Sequence, residues 1–346
     1  MRPNGNRYGT HRVVEPLGTL PQPAQKLDNT MEIYDNELLI DVNTLNIDSA
    51  SYTQIRHACS DDAEQMKKMI LSIVDERGKM QNPVTGSGGM LIGTVREIGP
   101  NFHSNTKVKV GDKIATLVSL SLTPLKIKQI KHLDPQHDQV DVDAQAILFE
   151  SGLFAVLPDD LPERLALAAL DVAGAPAQVD RLVTEGDIVC LIGGGGKSGI
   201  LCCYQAMKNV GPYGKVIVVE YSEKNAQRIK DMGLATDVIV ADATNVMDVY
   251  NKVMAITGGR GTDVTINNVN VPNTEMTSIL ITKGQGCVYF FSMATSFTRA
   301  ALGAEGVGKD ISLIVGNGYA RGHAELTLNI LRESEPIRRL FEELYA

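Results

Sequence analysis

The sequence predicts an α/β protein of two domains, a β-rich barrel-like domain followed by a doubly wound parallel sheet. Three observations carry this reading. The chain has 346 residues, close to two domains at roughly 150 residues each. Up to Pro158 short strands follow one another with little helix between them, whereas beyond it apolar runs alternate with helical stretches. Between the first of those apolar runs and a helix stands a loop of five glycines, Gly193-Gly-Gly-Gly-Lys-Ser-Gly199. The predicted domains are therefore 1–158 and 159–346.

Composition narrows the function classes. Hydrophobic residues make up 43% and charged residues 21%, near the globular average, which excludes a disordered or fibrous chain. The net charge is −8 and no basic stripe stands out, so nucleic acid is not an expected partner. No run approaches the ~18 apolar residues of a membrane span, and residues 1–11 lack the apolar core of a secretory signal. Five cysteines, with no C-x-x-C pair, read as reduced thiols of a cytoplasmic protein.

In the first domain, residues 37–45 alternate apolar with polar, as a half-buried strand does. Residues 61–77 place Met66, Met69, Ile70 and Ile73 at helical spacing. A glycine-punctuated strand is predicted in 86–99, and another in 107–118 behind the Gly111-Asp112 turn. In the second domain a helix over 161–173 precedes the strand 187–192. Further buried strands are predicted at 215–219, 237–241, 263–267, 286–291 and 311–315, giving a six-stranded parallel sheet. The chain ends in helical sequence over 325–345, with room for these helices to pack back on the first domain.

The glycine loop carries the chemistry of the second half. Gly194, Gly196 and Gly199 satisfy G-x-G-x-x-G between a strand and a helix over 198–209. The spacing assigns Gly194 to a tight turn, Gly196 to close backbone approach to a pyrophosphate and Gly199 to helix–strand packing. Lys197 and Ser198 open the helix whose N–H groups face the phosphates. Glu220 ends the next strand, where a carboxylate accepts from a ribose diol and repels a 2′-phosphate, so the cofactor expected is NAD rather than NADP. A nucleoside triphosphate P-loop is disfavoured, because Leu191 stands where that motif requires its first glycine.

The order of these parts resembles the medium-chain dehydrogenase/reductase superfamily, in which a GroES-like barrel precedes a Rossmann domain. Leu45-Asn-Ile-Asp48 is similar to the segment after its early strand. Pro83-Val-Thr-Gly-Ser-Gly-Gly-Met-Leu-Ile-Gly-Thr-Val-Arg-Glu-Ile-Gly99 is similar to its P-x-x-G-H-E-x-x-G-x-V-x-x-x-G, and Val110-Gly-Asp-Lys-Ile114 to its K-x-G-D-x-V turn. Asn46, Ser87 and Val172 stand where zinc members carry metal ligands, and the four-cysteine lobe is replaced by residues 119–128. The resemblance therefore implies a zinc-free member with no metal site. The chain further resembles the L-erythro-3,5-diaminohexanoate dehydrogenase family over 8–13, 45–51, 82–90, 173–178, 269–276 and 290–296. That resemblance implies NAD-dependent oxidation of the 3-amino group to a ketone with release of ammonium, in lysine fermentation. The alternatives are a zinc-free NAD(P)H enone or quinone reductase and a non-catalytic dinucleotide-binding protein.

Amine oxidation needs a base, because an alkylammonium with a pKa near 10 has no lone pair at about pH 7. Asp48, at the position of the zinc members' proton-relay hydroxyl, is one candidate and Glu150, charged among apolar neighbours, the second. Ser87 is read as a hydrogen-bond donor or a turn residue, and Asp171 as a neighbour of the former zinc position or a helix-surface charge. Lys126, Lys128 and Arg299 are candidates for the carboxylate of a small diamino acid substrate. Asn268 and Val269, after the fourth strand of the parallel sheet, and Ser292 and Met293, after the fifth, fall near where this fold holds nicotinamide. The six histidines show no ligand spacing and are expected at surfaces or turns. A homodimer is the expected assembly.

Overall fold

The computed structural model describes every residue except Gln136, Met293, Asn317 and Ala346, and of Ser49 only the backbone. The chain separates into two compact units, Met1–Asp160 and Leu161–Ala346. In the first, a short pair, β1 (Val13–Glu15) with β2 (Lys26–Leu27), precedes a six-stranded antiparallel sheet. Its strands are β3 (Glu37–Ile47), β4 (Gly89–Ile98), β5 (Lys113–Thr116), β6 (Leu125–Asp134), β7 (Gln139–Phe149) and β8 (Phe154–Val156), in the order β6-β7-β3-β4-β5-β8. The predicted alternation fails at the start of β3, where Glu37, Leu38, Leu39 and Ile40 are all buried, and holds beyond it with an adjustment. Leu38, Ile40 and Val42 are buried, and so are Leu45 and Ile47, which are out of step with them. A register shift between Val42 and Thr44, against both β4 and β7, inserts the extra residue that returns the later pair to the core.

Two helices follow β3: α1 (Ser49–Ala58) and α2 (Ala63–Arg77). The α2 range matches the predicted helix because Asp62 caps it, accepting from Gln65 N, and Gly78 ends it at φ +69°. Tyr52, Ile55 and Cys59 point α1 into the core shared by the sheet and α2. The N-terminal segment is pinned by Arg12, fully buried, whose Nε and Nη2 each donate to Glu37 at 2.6 Å. His11 joins the same carboxylate at 2.7 Å, so this histidine sits in a turn but its ring is engaged.

The second unit opens with α3 (Glu163–Leu170) and α4 (Gly174–Leu182) and then alternates strand with helix. The elements are β9 (Ile188–Ile192), α5 (Lys197–Val210), β10 (Lys215–Glu220), α6 (Glu223–Asp231), β11 (Asp237–Val240), α7 (Val246–Thr257), β12 (Thr262–Asn267), α8 (Glu275–Ile281), β13 (Thr282–Phe290), α9 (Phe297–Gly306) and β14 (Ser312–Val315). All strands run parallel, in the order β11-β10-β9-β12-β13-β14. That is the 3-2-1-4-5-6 order of a Rossmann sheet, whose direction of winding reverses between β9 and β12. The closing helices α10 (His323–Glu333) and α11 (Glu335–Tyr345) pack on α3, α4 and α5 of their own unit. His323, expected at a surface, is buried at the start of α10, and burial holds its imidazole below the usual range.

Candidate functional site

The glycine loop leaves β9 at the point where the winding reverses, the place where such sheets bind ligands. The turn itself falls on Gly193, at φ +81°, and not on Gly194. Gly194 is small for another reason: a Cβ there would meet Val218 Cγ1 at 2.5 Å. The assignment of the tight turn to Gly194 is thus corrected by one residue. Gly199 has the predicted packing role, since its Cβ would lie 2.2 Å from the Gly193 carbonyl oxygen. At Gly196 a Cβ would meet nothing within 4 Å, so the backbone there is open to an approaching group. No side chain caps α5 and its first turn holds no acidic residue, which leaves N–H groups and a positive dipole end for a pyrophosphate. These features fit a dinucleotide.

Glu220 is buried at the end of β10 and is engaged with the loop: Gly195 N donates to Oε2 at 2.8 Å and Ser222 N to Oε1 at 3.1 Å. A carboxylate has about four acceptor positions, so each oxygen keeps capacity for a ribose hydroxyl. Lys197 extends to Asp171 at 3.0 Å and over the Tyr345 ring at 5.3 Å, which accounts for both charges among chain residues. Ser198 lies in the first turn of α5. Beyond β12, Asn268 keeps a buried Nδ2 without a partner while its Oδ1 faces Cys202 Sγ at 3.9 Å. The loop after β12 is organised by Asn267, fully buried, whose Oδ1 accepts from Val269 N and whose Nδ2 donates to Thr274 and Ser278. Ser292 is tied to the same residue, its N donating to the Asn267 carbonyl at 3.2 Å. Met293 lies outside the described residues.

In the first unit the structure joins two of the three predicted catalytic residues. Asp48 caps α1, its Oδ1 accepting from Ala50 N at 3.0 Å. The Ser87 hydroxyl donates to the same oxygen at 3.1 Å. Ser87 reaches it because the loop from Asn82 folds back on itself, with Asn82 N donating to the Ser87 carbonyl at 3.0 Å. Two further hydroxyls went unread in the sequence, Ser51 on α1 and Thr85 in the loop. Their signal was a serine three positions after the cap, placed on the same helix face as Asp48.

Glu150 is not part of this cluster. It follows β7 at the end paired with the start of β3, and accepts from Asn36 Nδ2 at 3.3 Å. Asp48 follows the other end of β3, ten residues along at ~3.3 Å each, so roughly 30 Å separates the carboxylates. Lys128 pairs with Asp143 at 3.2 Å and Arg299 approaches Glu275 at 3.6 Å. The five cysteines are free thiols, and burial pushes Cys190 up to about 12, which suits packing and not nucleophilic chemistry. Among the described residues no group of three His, Cys, Asp or Glu side chains could hold a metal ion.

An antiparallel unit leading into a 3-2-1-4-5-6 parallel sheet with an open glycine loop defines an oxidoreductase of the medium-chain dehydrogenase type, built for a nicotinamide cofactor. The comparisons agree. An alcohol dehydrogenase from Thermotoga maritima shares the fold, with a TM-score of 0.54 at 15% identity over 90% of this chain and 85% of that one. The family model for a zinc-binding dehydrogenase matches residues 201–313, and that for the L-erythro-3,5-diaminohexanoate dehydrogenase N-terminal domain matches 11–158. The L-erythro-3,5-diaminohexanoate dehydrogenase of Acetoanaerobium sticklandii is 58% identical, and that of Fusobacterium nucleatum 59%, each over 99% of both chains. This chain belongs to the L-erythro-3,5-diaminohexanoate dehydrogenase family, and it is a dehydrogenase.

Proposed function

We propose that the enzyme oxidises the 3-amino group of L-erythro-3,5-diaminohexanoate, giving 5-amino-3-oxohexanoate and ammonium with NAD as hydride acceptor, as a step of lysine fermentation. The observation that carries the substrate is the 58–59% identity to two dehydrogenases of that name over 99% of the chain. Glu220 carries the choice of NAD: a buried carboxylate at the end of β10 offers acceptors to a ribose diol and opposes a 2′-phosphate. NAD supplies the electrophilic carbon that takes the hydride from C3. Gly196, Lys197, Ser198 and Gly199, at the start of α5, would hold its pyrophosphate, and Asn268, Val269 and Ser292 would line its nicotinamide end.

Asp48 is the base in this reading. Its Oδ1 is occupied by Ala50 N and Ser87 Oγ, and Oδ2 has no partner among the described residues. An ammonium that approaches Oδ2 can lose its proton there and gain the lone pair that expels hydride from C3. Asp48 then has to pass that proton to solvent, and as a carboxylate again it can take a proton from the water that adds to the iminium carbon and return it to the departing amine. Glu150, at the far end of β3, is not carried forward. The exposed ends of the edge strand β14 support a homodimer, and free cysteines support a reducing, cytoplasmic setting; among the described residues no helix is long and apolar enough to cross a membrane. The test is turnover of 3,5-diaminohexanoate by the purified protein with NAD and, separately, with NADP. Activity at least tenfold higher in kcat/KM with NAD is expected; a preference for NADP overturns the cofactor reading, and no turnover with either overturns the substrate.

A further inference from the structure

Asp48 does not meet Ser87 alone. The Ser51 hydroxyl, on a fully buried residue, lies 2.6 Å from Ser87 Oγ and 2.6 Å from Thr85 Oγ1, and those two lie 3.1 Å apart. Three hydroxyls bring three hydrogens to the Asp48 contact, to these three, and to a longer one of 3.4 Å from Ser51 Oγ to the Ser87 carbonyl, so the shortest contacts decide how they are shared. An ionised Asp48 only accepts, so the Ser87 hydrogen goes to it. Ser51 then has to supply the hydrogen between itself and Ser87, and Thr85 the one between itself and Ser51. The Thr85–Ser87 contact and the one from Ser51 to the Ser87 carbonyl are left without a hydrogen, and at 3.1 and 3.4 Å both are longer than the two hydroxyl contacts of Ser51.

We infer that Ser51 is a positioning residue that, with Thr85, forms a one-way hydroxyl chain directing the Ser87 hydrogen onto Asp48 Oδ1. The chain runs from exposed Thr85 through buried Ser51 to half-buried Ser87. Ser51 cannot trade its partners for bulk water, so the direction is set by the carboxylate. Protonating Asp48 on Oδ1 would require the Ser87 hydrogen to leave it for the longer contact with Thr85. The chain thereby holds Oδ1 as an acceptor and leaves Oδ2 to do the proton transfer. This inference rests on the reading of Asp48 as the base.

The experiment measures kcat/KM for 3,5-diaminohexanoate against pH in the full-length protein with saturating NAD. Asp48→Asn should lower turnover by about 10²–10⁴-fold across the range. Ser87→Ala and Ser51→Ala should each move the acidic limb up by about one pH unit, because the ionised base loses a directed hydrogen bond. The Ser51→Ala/Ser87→Ala double variant should move it no further than Ser87→Ala, since Ser51 acts only through Ser87. Thr85→Ala, at an exposed position that does not threaten folding, should shift the limb in the same direction by less. An unmoved limb in both Ser51→Ala and Thr85→Ala, or a double variant equal to the sum of the singles, overturns the chain. Near-normal turnover of Asp48→Asn instead overturns the base itself.

Discussion

In the proposed reading Asp48 divides its work between two oxygens. Oδ1 caps the start of α1 and receives Ser87, which leaves Oδ2 for chemistry. The sequence identified Asp48 and Ser87 separately but not their contact, because they stand 39 positions apart and only the folded-back loop unites them. Glu150 misled for the same reason in reverse: its apolar neighbours are core residues of β7, and the carboxylate itself answers Asn36. A buried lysine elsewhere gives a pH signature. Lys79 is fully buried, and desolvation with the nearby Arg77 pulls its ammonium down to about 7. The neutral amine has two hydrogens, matching its two acceptors, the carbonyls of Pro21 and Gln22. Between pH 7 and 10.5 the unfolded chain holds this proton and the native chain does not, so Lys79 makes stability rise with pH in that window. Denaturant unfolding at several pH values should show a shallower rise for Lys79→Met; an identical slope would remove Lys79 as the cause.

Elements were most legible where one physical rule dominated. Every apolar run predicted in the second unit is a strand, because strands covered on both faces need unbroken hydrophobicity. In the first unit α1 and the long β6–β7 hairpin escaped notice. The hairpin strand β6 alternates with lysines and glutamine outside, and among the described side chains of α1 only Ser51, Tyr52 and Ile55 are buried. The glycine loop shows how finely a motif can be read. Its spacing found the right segment, yet the turn belongs to Gly193, a distinction that depends on φ and not on spacing. Two substitutions separate packing from binding in this element. Gly199→Ala puts a methyl 2.2 Å from the Gly193 carbonyl oxygen and should cost about 2 kcal/mol, read as a lower melting temperature. Gly196→Ala meets nothing in the protein and should melt normally while binding NAD at least tenfold more weakly. Equal melting of the two variants would contradict this division of roles.

On the scale of the molecule, the sequence puts a change of rhythm at Pro158, and the compact units divide after Asp160. Two architectures with different periods leave that trace in any sequence. The helical C-terminus was legible as helix, but not its destination, because an amphipathic face does not name the surface that covers it. The proposed function divides the chemistry between the units, giving the proton to Asp48 and its hydroxyls in the first and the coenzyme to the glycine loop with Glu220 in the second. The central claim is that hydride leaves the carbon bearing the 3-amino group. It is tested most directly with 3,5-diaminohexanoate deuterated at C3, following the label and ammonium together. The account predicts deuterium on the reduced coenzyme, one ammonium per coenzyme reduced, and slower turnover than with the unlabelled substrate if hydride transfer limits the rate. Reduced coenzyme without the label, or formed without ammonium, would contradict it.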